Sequence, residues 1–207
     1  TMPVTYAAHR GGASANVGTG TEITGTYGTL TINSDGSYTY TLNNAAGSAA
    51  DSLANGETGT DTFDLTIKDA GNSTSTQTLT LTVSGVNDAP VITITGTDSA
   101  ATTLTEQTAP NVPTGTMTGT LTVTDYDASN TVNAKVIDVS ITGTTLGKVP
   151  TDAELKNMLS VDTDNIISAG SQTGTILWTF NPNGEAFDYL ANGESLTLTY
   201  TVKAADS

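Results

Sequence analysis

Asn87 and Asp88 stand side by side, and Asp125 and Asp127 alternate around Tyr126. Their side chains supply only oxygen, the donor that hard divalent cations prefer, and the Asp-x-Asp spacing lets two carboxylates reach one ion, as in calcium loops. Asp206 and Glu57 extend the candidate set to Asn87, Asp88, Asp125, Asp127, Asp206 and Glu57, with Ca2+ as the expected cofactor. For the aspartates the competing reading is a solvated loop carboxylate. For Glu57 that alternative is stronger, because Asn55-Gly56-Glu57 also reads as a plain turn. Zinc is not the expected ion, because the chain has one histidine and no cysteine. His9 has no nucleophile elbow or phosphate loop around it. Paired carboxylates serve glycoside hydrolysis only in a cleft lined for sugar. No enzymatic activity is expected.

Charge points the same way. Six Lys+Arg oppose 21 Asp+Glu, for a net charge of −15. Nucleic acid and anionic membrane both require a basic face, so neither is an expected partner. There is no run of about 18 apolar residues, so no membrane insertion is expected. A chain without cysteine has no disulfide to staple it, and metal binding is the usual substitute. The absence of cysteine also fits an exported bacterial protein.

The elements that must position these oxygens are strands. Threonine accounts for 44 of 207 residues, and its branched side chain favours strands over helices. Threonine or another polar residue alternates with apolar residues at 29–32, 38–42, 63–67, 79–83, 91–95, 117–124, 136–141, 176–180 and 196–202. Each run has one apolar and one hydroxyl face, the pattern of an antiparallel sandwich. Trp178 lies in such a run and is expected in the core. Asp35-Gly36 and Asn183-Gly184 read as hairpin turns. One short helix is expected where Thr151 or Asp152 can cap a stripe of Leu155, Met158 and Leu159. The fold class is all-β: tandem immunoglobulin-like or cadherin-like antiparallel β-sandwiches, with one short helix in the second.

The segment Gly85-Val86-Asn87-Asp88-Ala89-Pro90-Val91-Ile92 divides the chain. Its proline cannot continue a strand ladder, and an apolar strand follows at once. Residues 1–88 and 89–207 are therefore expected to be two domains. An internal repeat supports this. Leu53-Ala54-Asn55-Gly56-Glu57 recurs as Leu190-Ala191-Asn192-Gly193-Glu194, and Phe63 to Asp69 aligns with Tyr200 to Asp206 at the same offset. The stretch 28–36 is also aligned with 174–184. On this alignment the first domain is N-terminally incomplete and the second lacks its last strand, which would leave strand edges uncovered.

With these residues assembled, the chain resembles the VCBS repeat, a cadherin-like module found in tandem in large bacterial surface adhesins and RTX-type proteins. The resemblance rests on Gly28 to Ile32, Asp35 to Leu42, Leu53 to Glu57, Phe63 to Asp69 and Gly85 to Pro90. Residues 1–21, including His9-Arg10-Gly11-Gly12, fit no part of that pattern. The resemblance implies secretion to the extracellular space or bacterial cell surface, tandem rods, calcium at the joints, and roles in adhesion or biofilm. Neighbouring repeats, or copies of the same chain, are the implied partners. Cell-surface or matrix glycans are a further candidate.

In an immunoglobulin-like sandwich the 125–130 loop and the end of the 196–206 strand return to the pole where Asn87-Asp88 enters. Asn87, Asp88, Asp125, Asp127 and Asp206 are thus expected to converge, with Glu57 approaching from the first domain. The alternative function is a subunit of an extracellular filament or surface layer. Residues 1–8, with Val4 and Tyr6 alternating around Thr5, would then donate a strand to the open edge beside 196–202 of another copy.

Overall fold

A computed structural model describes residues 5–10, 13–16, 20–106, 115–145, 150–185 and 187–206. The chain forms two compact units. Unit 1 comprises Thr1–Asp88 together with Tyr126–Ser129, and unit 2 comprises Ala89–Asp125 and Asn130–Ser207. Among the described residues no helix is long and apolar enough to cross a membrane.

Unit 1 contains β1 (Thr5–Arg10), β2 (Ala13–Asn16), β3 (Thr21–Thr24), β4 (Gly28–Ile32), β5 (Tyr38–Leu42), β6 (Thr58–Lys68) and β7 (Thr74–Ser84). They make two antiparallel sheets, ordered β2-β1-β6-β7 and β3-β4-β5. The period-2 alternation is read out directly as burial. Gly28, Leu30 and Ile32 of β4 face inward, as do Gly59, Asp61 and Phe63 of β6. Tyr40 and Phe63 meet edge to face, with ring centroids 6.3 Å apart, so aromatic packing joins the two sheets.

Unit 2 contains β8 (Val91–Thr93), β9 (Met117–Thr124), β10 (Val132–Gly143), α1 (Asp152–Lys156), β11 (Leu159–Val161), β12 (Thr173–Phe180) and β13 (Leu196–Asp206). One sheet runs β11-β12-β9-β8, and the other pairs β10 with β13. Leu121, Val123, Val132, Ala134, Ile167, Ile176 and Trp178 form its core. A second cluster joins Val139, Leu155, Met158 and Phe187. Thr151 caps the helix: its hydroxyl accepts from Glu154 N–H, and Glu154 reaches back to Thr151 N–H at 2.8 Å. This reciprocal pairing is a capping box. It lets a five-residue helix press Leu155 and Met158 into the unit.

The all-β, antiparallel reading holds, and so do the short helix and the core position of Trp178. Four points differ. First, Leu159 begins β11 and does not continue the helix. Second, Asn183-Gly184 is a tight turn but no hairpin. Both residues have positive φ and Glu185 N–H closes the turn on Pro182 O, yet the flanking β12 and β13 lie in different sheets. Third, the strand leading into the repeated turn is β5 in unit 1 and β12 in unit 2, so β5 and not β4 is the counterpart of β12. Fourth, Thr5–Arg10 is already a strand of its own unit, between β2 and β6. Within the single chain its Thr5–Ala8 part is thus paired with β6. Residues 1–4 of that segment lie outside the described residues.

Candidate metal centre

The repeated sequence makes a repeated turn. In unit 1, Glu57 N–H donates to Ala54 O at 2.9 Å and Glu57 Oε2 accepts from Ala54 N–H at 3.0 Å. In unit 2, Glu194 N–H donates to Ala191 O at 2.9 Å and Glu194 Oε2 accepts from Ala191 N–H at 2.8 Å. Gly56 and Gly193 take φ of 87° and 86°, the left-handed region that glycine enters without steric cost. The structure therefore places the Glu57 carboxylate in the turn, with one oxygen holding it shut.

That turn seats the Gly85–Asp88 segment. Gly85 N–H donates to Glu57 O at 2.9 Å. A side chain at Gly85 would strike the Leu53 and Ala54 carbonyls, so only glycine lets the segment lie this close. Asn87 follows, its amide donating to Asp88 O at 3.0 Å.

Asp88 then enters an acidic pole of unit 1. Its N–H donates to Asp127 Oδ2 at 2.8 Å. Asp127 sits in the short segment that joins unit 1, anchored where Ala128 N–H donates to Ser52 O at 3.2 Å. The Asp127 side chain is fully buried, and its Oδ1 has no hydrogen-bond donor among the described residues. Burial raises the pKa of Asp88 above the ordinary value of 3.8, and the negative charges of Asp51 and then Asp127 raise it further. Three carboxylates thus crowd one pole. Asp51 did not stand out in the sequence, because it lies in a Ser/Ala-rich loop with no Asp-x-Asp signature.

In unit 2, Asp125 is also buried. Its N–H donates to Gln172 O at 3.0 Å, and its Oδ2 has no hydrogen-bond donor among the described residues. Asp206 closes the β10–β13 ladder opposite Val132, at the end where the 125–130 loop feeds β10.

The fit to a divalent cation is mixed. The carboxylates of Asp51, Asp88 and Asp127 in unit 1 offer oxygen only, the donor chemistry calcium takes. As the side chains stand, no three Asp, Glu or His among the described residues form a group able to hold a metal ion. The structure brings Asp88, Asp127 and Asp51 to one pole and leaves Glu57 in its turn.

Residues 5–85 match the bacterial cadherin-like domain family. The match begins at residue 5, so the stretch 5–21 lies inside the matched domain. Neither the comparison with curated proteins nor the comparison with solved structures returned a match. The match falls on unit 1, whose antiparallel sheets are consistent with a cadherin-like β-sandwich.

Proposed function

We propose that this chain is a calcium-stiffened extracellular repeat module of a bacterial surface adhesin. It acts as a structural extender in adhesion or biofilm, not as a catalyst. The observation that carries this reading is the crowding of Asp51, Asp88 and Asp127 at one pole of a unit similar to bacterial cadherin-like domains. Like charges in a partly buried setting repel, and a divalent cation removes that penalty while accepting the oxygens. Asn87 and Asp125 stand next to these residues in the chain and are the further ligands proposed, with Asp206 after them. The expected partners are neighbouring repeats of the same protein, or copies of it, with surface or matrix glycans as a further candidate.

Thermal melting with calcium and with chelator tests the reading. Calcium at about 100-fold excess over Kd stabilises by roughly 2.7 kcal/mol if it binds only the folded state. Superimposable melting curves would refute it. Stiffening is tested by small-angle scattering, where chelation should broaden the distribution of particle dimensions. A distribution indifferent to calcium would retain the module and remove the stiffening.

A further inference from the structure

Asn-Gly occurs three times, at Asn55-Gly56, Asn183-Gly184 and Asn192-Gly193. All six residues are exposed. Glycine carries no side chain to shield its main-chain nitrogen. That nitrogen can therefore reach the side-chain amide carbon, Cγ, of the asparagine before it and close a five-membered ring. Whether it does so depends on how the turn and the side-chain amide are held.

The structure sorts the three pairs into two kinds. Asn55-Gly56 and Asn192-Gly193 are the central residues of the repeated turn, which Glu57 N–H closes on Ala54 O and Glu194 N–H closes on Ala191 O. Only the glycine of each pair has positive φ, the pattern of a type II turn. Neither asparagine side chain makes a hydrogen bond among the described residues, and neither glycine N–H has an acceptor there. No atom stands within 4 Å of the place a Cβ would take on Gly56 or Gly193. Asn183-Gly184 differs on two counts. Both of its residues have positive φ, the pattern of a type I′ turn. The Asn183 side-chain amide also donates to Asn157 O at 3.0 Å, and its main-chain N–H donates to Asn181 Oδ1 at 2.9 Å. The same dipeptide is thus loosely held at 55 and 192 and anchored at 183.

We propose that Asn55 and Asn192 are sites of self-modification, where the chain converts its own asparagine to aspartate and isoaspartate with water as co-reactant, while Asn183 is held against that reaction. The glycine nitrogen bonds to Cγ and gives up its proton. The bond from Cγ to the side-chain nitrogen breaks, and that nitrogen leaves as ammonia. Water then adds to one of the two ring carbonyls and breaks its bond to the ring nitrogen. Opening at the side-chain carbonyl yields aspartate. Opening at the main-chain carbonyl yields isoaspartate, in which the main chain runs through Cβ and Cγ and is longer by a carbon. Either product replaces a neutral amide with a carboxylate.

The longer main chain matters at Asn55. The turn around it is closed by Glu57 N–H and, through Glu57 Oε2, by Ala54 N–H. Glu57 O also accepts from Gly85 N–H, and Gly85 lies against the Leu53 and Ala54 carbonyls. Isoaspartate at position 55 therefore loosens the seat of the Gly85–Asp88 segment. The reaction needs no bound cation, so it stands or falls separately from the metal reading.

The test ages the whole chain in chelator at mildly alkaline pH, with and without denaturant. Peptide mapping by mass spectrometry follows each asparagine, and electron-transfer fragmentation separates isoaspartate from aspartate. In the folded chain Asn55 and Asn192 should convert about five- to tenfold faster than Asn183, the factor set by a hydrogen bond that must break first. In denaturant the three rates should come together. Asn55→Gln with Asn192→Gln, whose longer side chains do not close the five-membered ring, should lose both products and leave the rate at Asn183 unchanged. Amide exchange at Gly85 should quicken in the aged wild type and not in the aged variant. Three results would overturn the proposal: no conversion at Asn55 and Asn192, conversion of Asn183 as fast as theirs in the folded chain, or a rate difference that persists in denaturant and so belongs to sequence alone. Unchanged exchange at Gly85 in isoaspartate-containing chains would overturn the loosening.

Discussion

The backbone N–H of Asp88 donates to Oδ2 of Asp127 at 2.8 Å, across 39 residues of sequence. One bond thus ties the end of the first sandwich to a side chain supplied after β9, and holds two carboxylates close together at one pole. Asp127→Ala removes both the acceptor and a charge. Leaving the Asp88 N–H without its partner should cost about 1–3 kcal/mol in chelator. Asp127→Asn keeps an oxygen for that N–H and removes the charge. Its melting in chelator should stay near wild type, while calcium affinity measured by calorimetry falls about tenfold or more. Wild-type calcium binding by the Asn variant would remove Asp127 from the ligand set.

Asp88 gives a pH signature. Its carboxyl is held above the ordinary 3.8 by burial, then by Asp51 and Asp127. The folded state binds that proton more tightly than the unfolded chain. The resulting stabilisation is complete below pH 3.8 and is lost as pH rises through the higher folded value. In chelator, Asp88→Asn should therefore gain on wild type as pH rises from about 4 toward 7. With calcium present the order should reverse, because the wild-type carboxylate then has a cation to bind. Melting temperatures across that range, with and without calcium, check both signs.

Asp61 is a structural carboxylate of unit 1. It is fully buried. It accepts from Thr26 N–H at 2.7 Å, Tyr27 N–H at 3.0 Å and the Tyr40 hydroxyl at 2.7 Å. It thereby ties β6 to the β3–β4 turn and to β5. Asp61→Ala leaves several donors buried without an acceptor and should cost at least about 3 kcal/mol. Tyr40→Phe removes a single donor and should cost about 1–2 kcal/mol. Denaturant melts of unit 1 measure both, and equal losses would mean that the backbone donors do not depend on this side chain.

Asp98 shifts in the opposite direction to Asp88. The Thr120 hydroxyl, then the Thr122 hydroxyl and the Thr95 N–H, hold its carboxyl down to about 2. Its stabilising contribution is present above 3.8 and is lost as pH falls through about 2. An NMR titration should place its midpoint there. Thr120→Val with Thr122→Val should move it back toward 3.8, and an unmoved midpoint would show that the hydroxyls do not set it.

Much of the fold was legible because its signals are local. Polar–apolar alternation marks the long strands from β4 onward, broken in β10 by the irregularity between Val136 and Asp138, since a half-buried strand writes its two faces into period 2. The capping box at Thr151 and Glu154, and the glycine of each repeated turn, are equally short-range. β2, β3 and β11 were missed, and β1 was expected only as a donor strand over residues 1–8. Short strands such as Ala13–Asn16 and Thr21–Thr24 contain too few residues to show a period. Their place is set by pairing with β6 and β4, which no local pattern encodes.

The candidate site divides in the same way. By itself the sequence determined that Asn87, Asp88, Asp125 and Asp127 are oxygen donors in an acidic chain, and that the Leu-Ala-Asn-Gly-Glu turn occurs twice. Only the tertiary structure decided that Asp51 belongs with Asp88 and Asp127, that a Glu57 oxygen closes its own turn, and that β1 lies between β2 and β6. Alternation and turns are written into adjacent residues. Which carboxylates share a pole, and which edge has a partner, depends on how distant segments close on one another, and chain closure leaves no mark at any single position.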